Sequence, residues 1–344
     1  MINLFEGKTT YLFGCNEHSD DLSKVIKADG IIDDFRAGSN FNDLTVLHGD
    51  EIAPESVVIN CVLMAKGRAA RNRINSLACE TIYDYADLLE KFPELIPVPQ
   101  FMGDTLCDRK HKSDKWKCLE NSLADEKSKI VLADLIRFRT SSRLSALAEY
   151  DFTPEKQYFD EVVNLSHEEV FVDCGGFDGD TTEQFATKNP VYKRVYLFEP
   201  SPLNLKKARA RLSSLNNIEF IEKGVSDQSA LASFNAAGGS ASAISENGAD
   251  QIILTKIDDE IREKITFIKM DLEGWETKAL LGAKNHILQD HPKMAIAVYH
   301  SASDFWSVPQ LVLGIRDDYN VYLRHYTQGW VESIMYFIPK KENG

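Results

Sequence analysis

Residues 169 to 182 read Glu-Val-Phe-Val-Asp-Cys-Gly-Gly-Phe-Asp-Gly-Asp-Thr-Thr, and the assignment of the whole chain turns on them. Val170, Phe171 and Val172 make a short apolar, β-favouring run that stops at Asp173. Gly175, Gly176 and Gly179 then fall within five residues, and Asp180-Thr181-Thr182 has the composition of a capped helix start. Strand, glycine-rich turn and helix N-terminus together predict a nucleotide-type cradle, in which missing side chains let a ligand approach the backbone. The acids in the turn select the ligand. Asp173, Asp178 and Asp180 would repel a pyrophosphate and favour a cationic cofactor, and S-adenosylmethionine, with an ammonium, a sulfonium and no phosphate, fits that field.

The next apolar run, Val195-Tyr196-Leu197-Phe198, closes on Glu199, 20 residues after Gly179, the offset of an acid that takes ribose hydroxyls. Pro200 follows it, and further on stand Gly224-Val225-Ser226-Asp227 and Lys269-Met270-Asp271-Leu272-Glu273-Gly274-Trp275-Glu276. With Asp173-x-Gly175-x-x-x-Gly179 these four motifs, in this order, resemble the FkbM family of S-adenosylmethionine-dependent O-methyltransferases, over roughly residues 166 to 339. The resemblance implies a class I methyltransferase fold: a Rossmann-like α/β sheet, mostly parallel, with an antiparallel last strand. It implies S-adenosyl-L-methionine as cofactor, held by Asp173, Gly175, Gly176, Phe177, Asp178, Gly179, Thr181, Glu199, Pro200, Ser226, Asp227 and Asp271. Phe177 departs from the family's commonest loop, in which a glycine often stands at that place.

At 344 residues the chain has length for two cores. A net charge of −14 argues against a nucleic-acid partner, whose phosphates require a basic face. No apolar run approaches the ~20 residues of a membrane span, and the N-terminus lacks a signal-peptide pattern, so a cytoplasmic protein is expected. The six cysteines have neither Cys-x-x-Cys pairing nor zinc-ligand spacing and are expected to be reduced.

Residues 1 to 100 alternate apolar strand and helix patterns, from Thr9–Phe13 through Val57–Leu63 to Thr81–Tyr85, as a smaller Rossmann-like α/β domain would. Asp33 and Asp34 stand where a ribose-binding acid would follow Gly14, but that turn has one glycine and not three. The front domain is therefore expected to serve structure, self-association into a homo-oligomer, or substrate presentation. Three prolines between Pro93 and Pro99 mark a boundary, residues 101 to 160 read as a helical linker, and residues 161 to 344 as the methyltransferase domain. The basic run Arg109-Lys110-His111-Lys112 reads as a solvated helix start, and Tyr158 as a lid over the cofactor.

In the catalytic half, Ser201-Pro202 is an N-cap with proline at the first helical position. Ala236 to Gly248 is small, polar and either a surface loop or a flap over the acceptor. Strands ending at Met270 and Tyr299 deliver Asp271, Glu273 and His300 to one sheet edge. His300 is the expected general base for an alcohol acceptor, with Asp271 or Glu273 orienting it. The Asp-x-Glu pair is short of a full ligand set, so no resident metal is expected. The family resemblance points to a hydroxyl of a sugar, glycan or glycan precursor as acceptor. A non-sugar alcohol, an NAD-type oxidoreductase and a non-catalytic sugar-nucleotide-binding protein are the alternatives, the last two disfavoured by the loop acids and by His300.

Overall fold

The computed structural model describes residues 1–235, 243–244 and 250–340. The chain forms two compact units, one comprising residues 1–111, 130–153 and 326–331, the other residues 112–129, 154–325 and 332–344.

The first unit is built on a six-stranded sheet. Its strands are β1 (Thr10–Phe13), β2 (Gly30–Ile32), β3 (Asn40–Phe41), β4 (Leu44–Leu47), β5 (Val57–Asn60) and β6 (Thr81–Asp84), in the order β3-β4-β2-β1-β5-β6. All pairs are parallel except β3 with β4. The helices Glu17–Val25 and Gly67–Asn75 follow β1 and β5, and β1, β2 and β5 are wholly buried, as their unbroken apolar runs require. Both acids considered for ribose binding are engaged locally. Asp33 accepts from the Cys15 and Phe35 N–H groups, and Asp34 from Arg73 Nε at 2.8 Å and the Gly49 N–H at 2.8 Å.

The second unit carries a seven-stranded sheet: β7 (Val170–Cys174), β8 (Arg194–Phe198), β9 (Ile218–Ile221), β14 (Phe267–Met270), β15 (Lys293–Ala297), β16 (Tyr319–His325) and β17 (Ser333–Pro339). Between β9 and β14 run β10 (Gly224–Val225), β11 (Ala230–Asn235), β12 (Ala243–Ile244) and β13 (Asp250–Thr255), which form a separate four-stranded sheet. The large sheet has the order β16-β17-β15-β14-β7-β8-β9, with β17 antiparallel to both neighbours and the remaining pairs parallel. This is the expected mostly parallel α/β sheet with its antiparallel finish. Helix Asp180–Lys188 packs Phe185 on Phe171, ring centroids 4.4 Å apart, while helix Pro202–Arg211 sets Leu205 and Ala208 against Leu197. Because β7 has β8 on one side and β14 on the other, the connections after β7 and β14 part there. In open α/β sheets the carboxyl ends of the strands at such a point are where ligands bind.

Two expectations change, and a third is untested. The helical segment 101–160 is not one linker: helices Gln100–His111 and most of Glu126–Ser141 belong to the first unit, and helix Ser113–Ser122 to the second. Arg109, Lys110 and His111 end a helix and do not start one, which places their charge where a helix dipole favours it. The loop Ala236–Gly248 lies outside the described residues except for β12.

Candidate active site

At the end of β7 the chain turns through Gly175 (φ 78°), Phe177 (φ 44°) and Gly179 (φ 87°) before the helix Asp180–Lys188 begins. Gly175 and Gly176 both donate to the Phe198 carbonyl, which ties the turn to the end of β8. A Cβ on Gly175 would stand 2.1 Å from the Asp271 carbonyl oxygen, so this position tolerates only glycine. Phe177 takes up the left-handed conformation that a glycine would supply, and its N–H donates to Glu199 Oε2 at 3.0 Å.

Glu199 directly follows β8 with its carboxylate buried, and its other oxygen accepts from the Ser201 N–H at 2.8 Å. Ser201 also caps its helix through the Asn204 N–H, as expected. Burial raises the Glu199 pKa, and the two backbone donors work against that. The Asn204 side chain is a third donor to this carboxylate, which still leaves acceptor capacity for a ligand hydroxyl. Ser226 and exposed Asp227 follow β10, with the Ser226 hydroxyl within hydrogen-bond distance of Asp227 and receiving the Trp275 indole N–H.

The charge of the loop is not what its sequence implies. Asp173 is fully buried, with Oδ1 3.1 Å from Lys269 Nζ and Oδ2 accepting from the Thr182 hydroxyl. Asp178 pairs with Arg211 at 2.7 Å, and only Asp180 of the three acids is exposed. Two of the three charges are thus neutralised from within, and Asp173 supports the turn from below and does not face its open side. Lys269 also donates to the Gly175 carbonyl at 2.8 Å. Burial alone would lower its pKa, but Asp173 and Asp271 outweigh that and hold the ammonium above the usual lysine range.

The negative charge that a cationic ligand would meet lies instead beyond β14 and β15. Asp271 Oδ2 accepts from the Tyr158 hydroxyl at 2.6 Å and from the Tyr299 hydroxyl at 3.2 Å. His300 Nε2 is 3.4 Å from Asp271 Oδ1 and 3.4 Å from Glu273 Oε2, and its Nδ1 is 3.2 Å from Glu276 Oε1. Asp271, Glu273 and His300 therefore do meet at one rim. Their protonation corrects the expected roles. Burial disfavours the charged ring, but Glu276, Asp271 and Glu273 overcome it and push the His300 pKa up to about 10. An imidazolium cannot accept a proton, so His300 is not a free general base near neutral pH. Burial pushes Glu273 up to about 7 although His300 opposes it, and burial together with Asp271 holds Glu332 well above the carboxylate range.

Tyr158 is no exposed lid: it is buried, donates its N–H to the Tyr336 hydroxyl and takes a left-handed φ of 67°. The residues missed in the sequence are Tyr299, Glu332, Gln157 and the partner role of Glu276. Glu276 stood within the quoted motif, whereas Gln157 and Glu332 meet through the fold from 175 positions apart and leave no local signal.

The donor set fits S-adenosylmethionine: a glycine turn with no room for Cβ atoms, a buried carboxylate with free lone pairs at the neighbouring strand end, and an Asp178 Oδ1 that is buried without a hydrogen-bond partner. The model for the methyltransferase FkbM domain matches residues 173–328. Those residues are similar to an FkbM methyltransferase domain. The crystal structure of a methyltransferase FkbM from Methylobacillus flagellatus KT superposes with a TM-score of 0.75, over 96% of this chain and 90% of that one, at 23% identity. That likeness supports the fold of the chain beyond the FkbM domain alone. An rRNA methylase from Streptococcus thermophilus aligns over 51% of this chain and 89% of its own, with a TM-score of 0.35 and 22% identity. No curated protein matches the chain. Among the described residues no helix is long and apolar enough to cross a membrane.

Proposed function

We propose that this methyltransferase moves the methyl group of S-adenosyl-L-methionine to a hydroxyl oxygen of a sugar, glycan or glycan precursor. When bound, the cofactor supplies a methyl carbon on a sulfonium, a leaving group that departs as a neutral thioether. The chain's own residues hold, orient and take up a proton. Glu199 accepts the ribose hydroxyls, while Gly175, Gly176 and Phe177 bring backbone close to the cofactor and Asp178 offers its unpaired oxygen. Gly179 opens the helix that faces the cofactor, with Thr181 in its first turn. Pro200, Ser226 and Asp227 line the side beyond Glu199. Asp173 and Lys269 keep the turn in shape.

The acceptor lies on the rim of Asp271, Glu273 and His300. Its proton goes to Glu273, and the observation that carries this is one of occupancy. Asp271 is taken by two tyrosine hydroxyls and Glu276 by the Leu272 and Gly274 N–H groups, whereas Glu273 accepts no hydrogen bond from any described residue. Glu273 would take up the hydroxyl proton of the acceptor as its oxygen gains the methyl group that the cofactor would supply. His300 is a positioning residue that stands within 3.4 Å of all three carboxylates and keeps them in place. A polyol acceptor suits a rim so rich in hydrogen-bond acceptors, and three carboxylates round one histidine disfavour a phosphorylated one.

The test is transfer of labelled methyl to a panel of sugars, nucleotide sugars and simple alcohols. With the acceptor that responds, Glu273→Gln should lower turnover about 10²- to 10⁴-fold while S-adenosylhomocysteine binding is kept. Full activity of Glu273→Gln would remove it as the proton acceptor.

A further inference from the structure

The crowding of acids round His300 has a second use. Both ring nitrogens are buried without a hydrogen-bond partner, although the side chain is only 10% exposed and three carboxylates lie within 3.4 Å. Glu276 Oε2 is likewise buried and unpartnered on a side chain 1% exposed. Acid clusters on a surface need no explanation, but buried nitrogen and oxygen atoms that converge without hydrogen bonds leave donor capacity unspent where burial makes that costly. Three carboxylates round one imidazole also leave net negative charge even with a proton on the ring. A dication would satisfy both deficits.

We propose that Asp271, Glu276 and His300 form a site for one divalent first-row cation of the Mn2+ type. One ligand atom from each already lies within 4.8 Å of the others. Bonds of about 2.1 Å in octahedral geometry put neighbouring ligands about 3 Å apart and opposite ones about 4.2 Å apart. Whichever ring nitrogen ligates, one of the two separations, 3.4 Å from Nε2 to Asp271 or 3.2 Å from Nδ1 to Glu276, is close to an edge of such a polyhedron, and the third ligand atom lies within 4.8 Å, not far beyond the opposite-ligand distance. One imidazole with two carboxylates suits Mn2+ better than Mg2+, which keeps its waters and prefers oxygen alone. Whichever ring nitrogen takes the ion, the other faces a carboxylate that can hold its proton, the arrangement that fixes a metal-bound imidazole. Tyr158 and Tyr299 hold Asp271 from behind in the same way.

The use of the ion, though not the site itself, rests on the methyl-transfer reading: open coordination positions would take the acceptor hydroxyl and a neighbouring one. The full chain, freed of metal by chelation, is titrated with Mn2+ while the spin resonance of the free ion is followed. The expected result is loss of the free signal up to one Mn2+ per chain, with Glu276→Gln and His300→Ala each binding at least about tenfold more weakly. A free signal that tracks added Mn2+ from the first aliquot, or equal binding by both variants, overturns the site. Should Glu276→Gln fail to fold, Asp271→Asn takes its place, since Asp271 is partly exposed. S-adenosylhomocysteine is titrated calorimetrically into the same preparation. Cofactor heat without Mn2+ binding ends the cation proposal alone, and Mn2+ binding without cofactor heat ends the methyl-transfer reading alone.

Discussion

Lys269 is the residue whose loss should be felt most widely. Its ammonium is 3% exposed and holds a fully buried Asp173 carboxylate together with the Gly175 carbonyl, so one side chain joins β14, β7 and the glycine turn. Lys269→Met removes the cation and leaves an uncompensated buried charge, which should destabilise the fold by about 3–5 kcal/mol in denaturant unfolding. Adding Asp173→Asn should recover part of that loss. A cost below about 1 kcal/mol would mean that water reaches Asp173. At this scale the sequence was only half legible: Asp173, Asp178 and Asp271 stood out as acids at strand ends and in the turn, but their partners Lys269, Arg211, Tyr158 and Tyr299 come from other elements. An acid's partner decides its charge. Hence the loop that looked anionic is largely paired, and the histidine that looked like a free base is enclosed by three carboxylates.

At the scale of elements, strand ends and turns build the site, and they do so with strained backbone. Tyr158, Phe177, Glu273 and Glu332 all have left-handed φ, four of the eight non-glycine residues that do so among those described. Such conformations cost of order 1 kcal/mol or more and persist where surrounding contacts fix them, as in binding sites. Periodicity found the strands because buried parallel strands are apolar throughout, and it placed β1, β5, β7, β8 and β14 within a few residues. It could not show that the run Ile218 to Val225 divides between two sheets, since that depends on β13 pairing with β10.

The first unit has its own test at this scale. His18, at the start of helix Glu17–Val25, is 5% exposed and packs between Tyr85 and Phe101, and burial lowers its pKa to about 4. The folded state therefore binds its proton later than the unfolded chain, with its ordinary value near 6.5. The stability so gained is fully present above about pH 6.5 and is lost as pH falls through about 4. His18→Phe should flatten the decline between pH 7 and 4, read by amide exchange in β1, β2 and β5. An unchanged decline would show that His18 does not govern it.

Over the whole molecule, the proline cluster from Pro93 to Pro99 looked like the boundary between two domains. The chain instead passes between the two units more than once, because residues 130–153 and 326–331 belong with the first. Sequence cannot show such returns: Tyr326–Val331 is six residues long and takes its partners from residues 63–69, as in the Gln328 N–H to Ala65 carbonyl bond of 2.8 Å. A fragment starting near Leu123 would carry pieces of the first unit without its sheet. It should unfold at a lower temperature than the full chain in calorimetry, and a fragment as stable as the parent would contradict these boundaries.

The central claim is that the turn after β7 and Glu199 together hold S-adenosylmethionine. Calorimetric titration of the full chain with S-adenosylhomocysteine tests it most directly. The expected result is one site per chain, no heat from NAD, and a loss of about 2 kcal/mol in Glu199→Ala, the scale of charge-assisted hydrogen bonds to the ribose. Binding of NAD in place of S-adenosylhomocysteine, or equal affinity in Glu199→Ala, would contradict it.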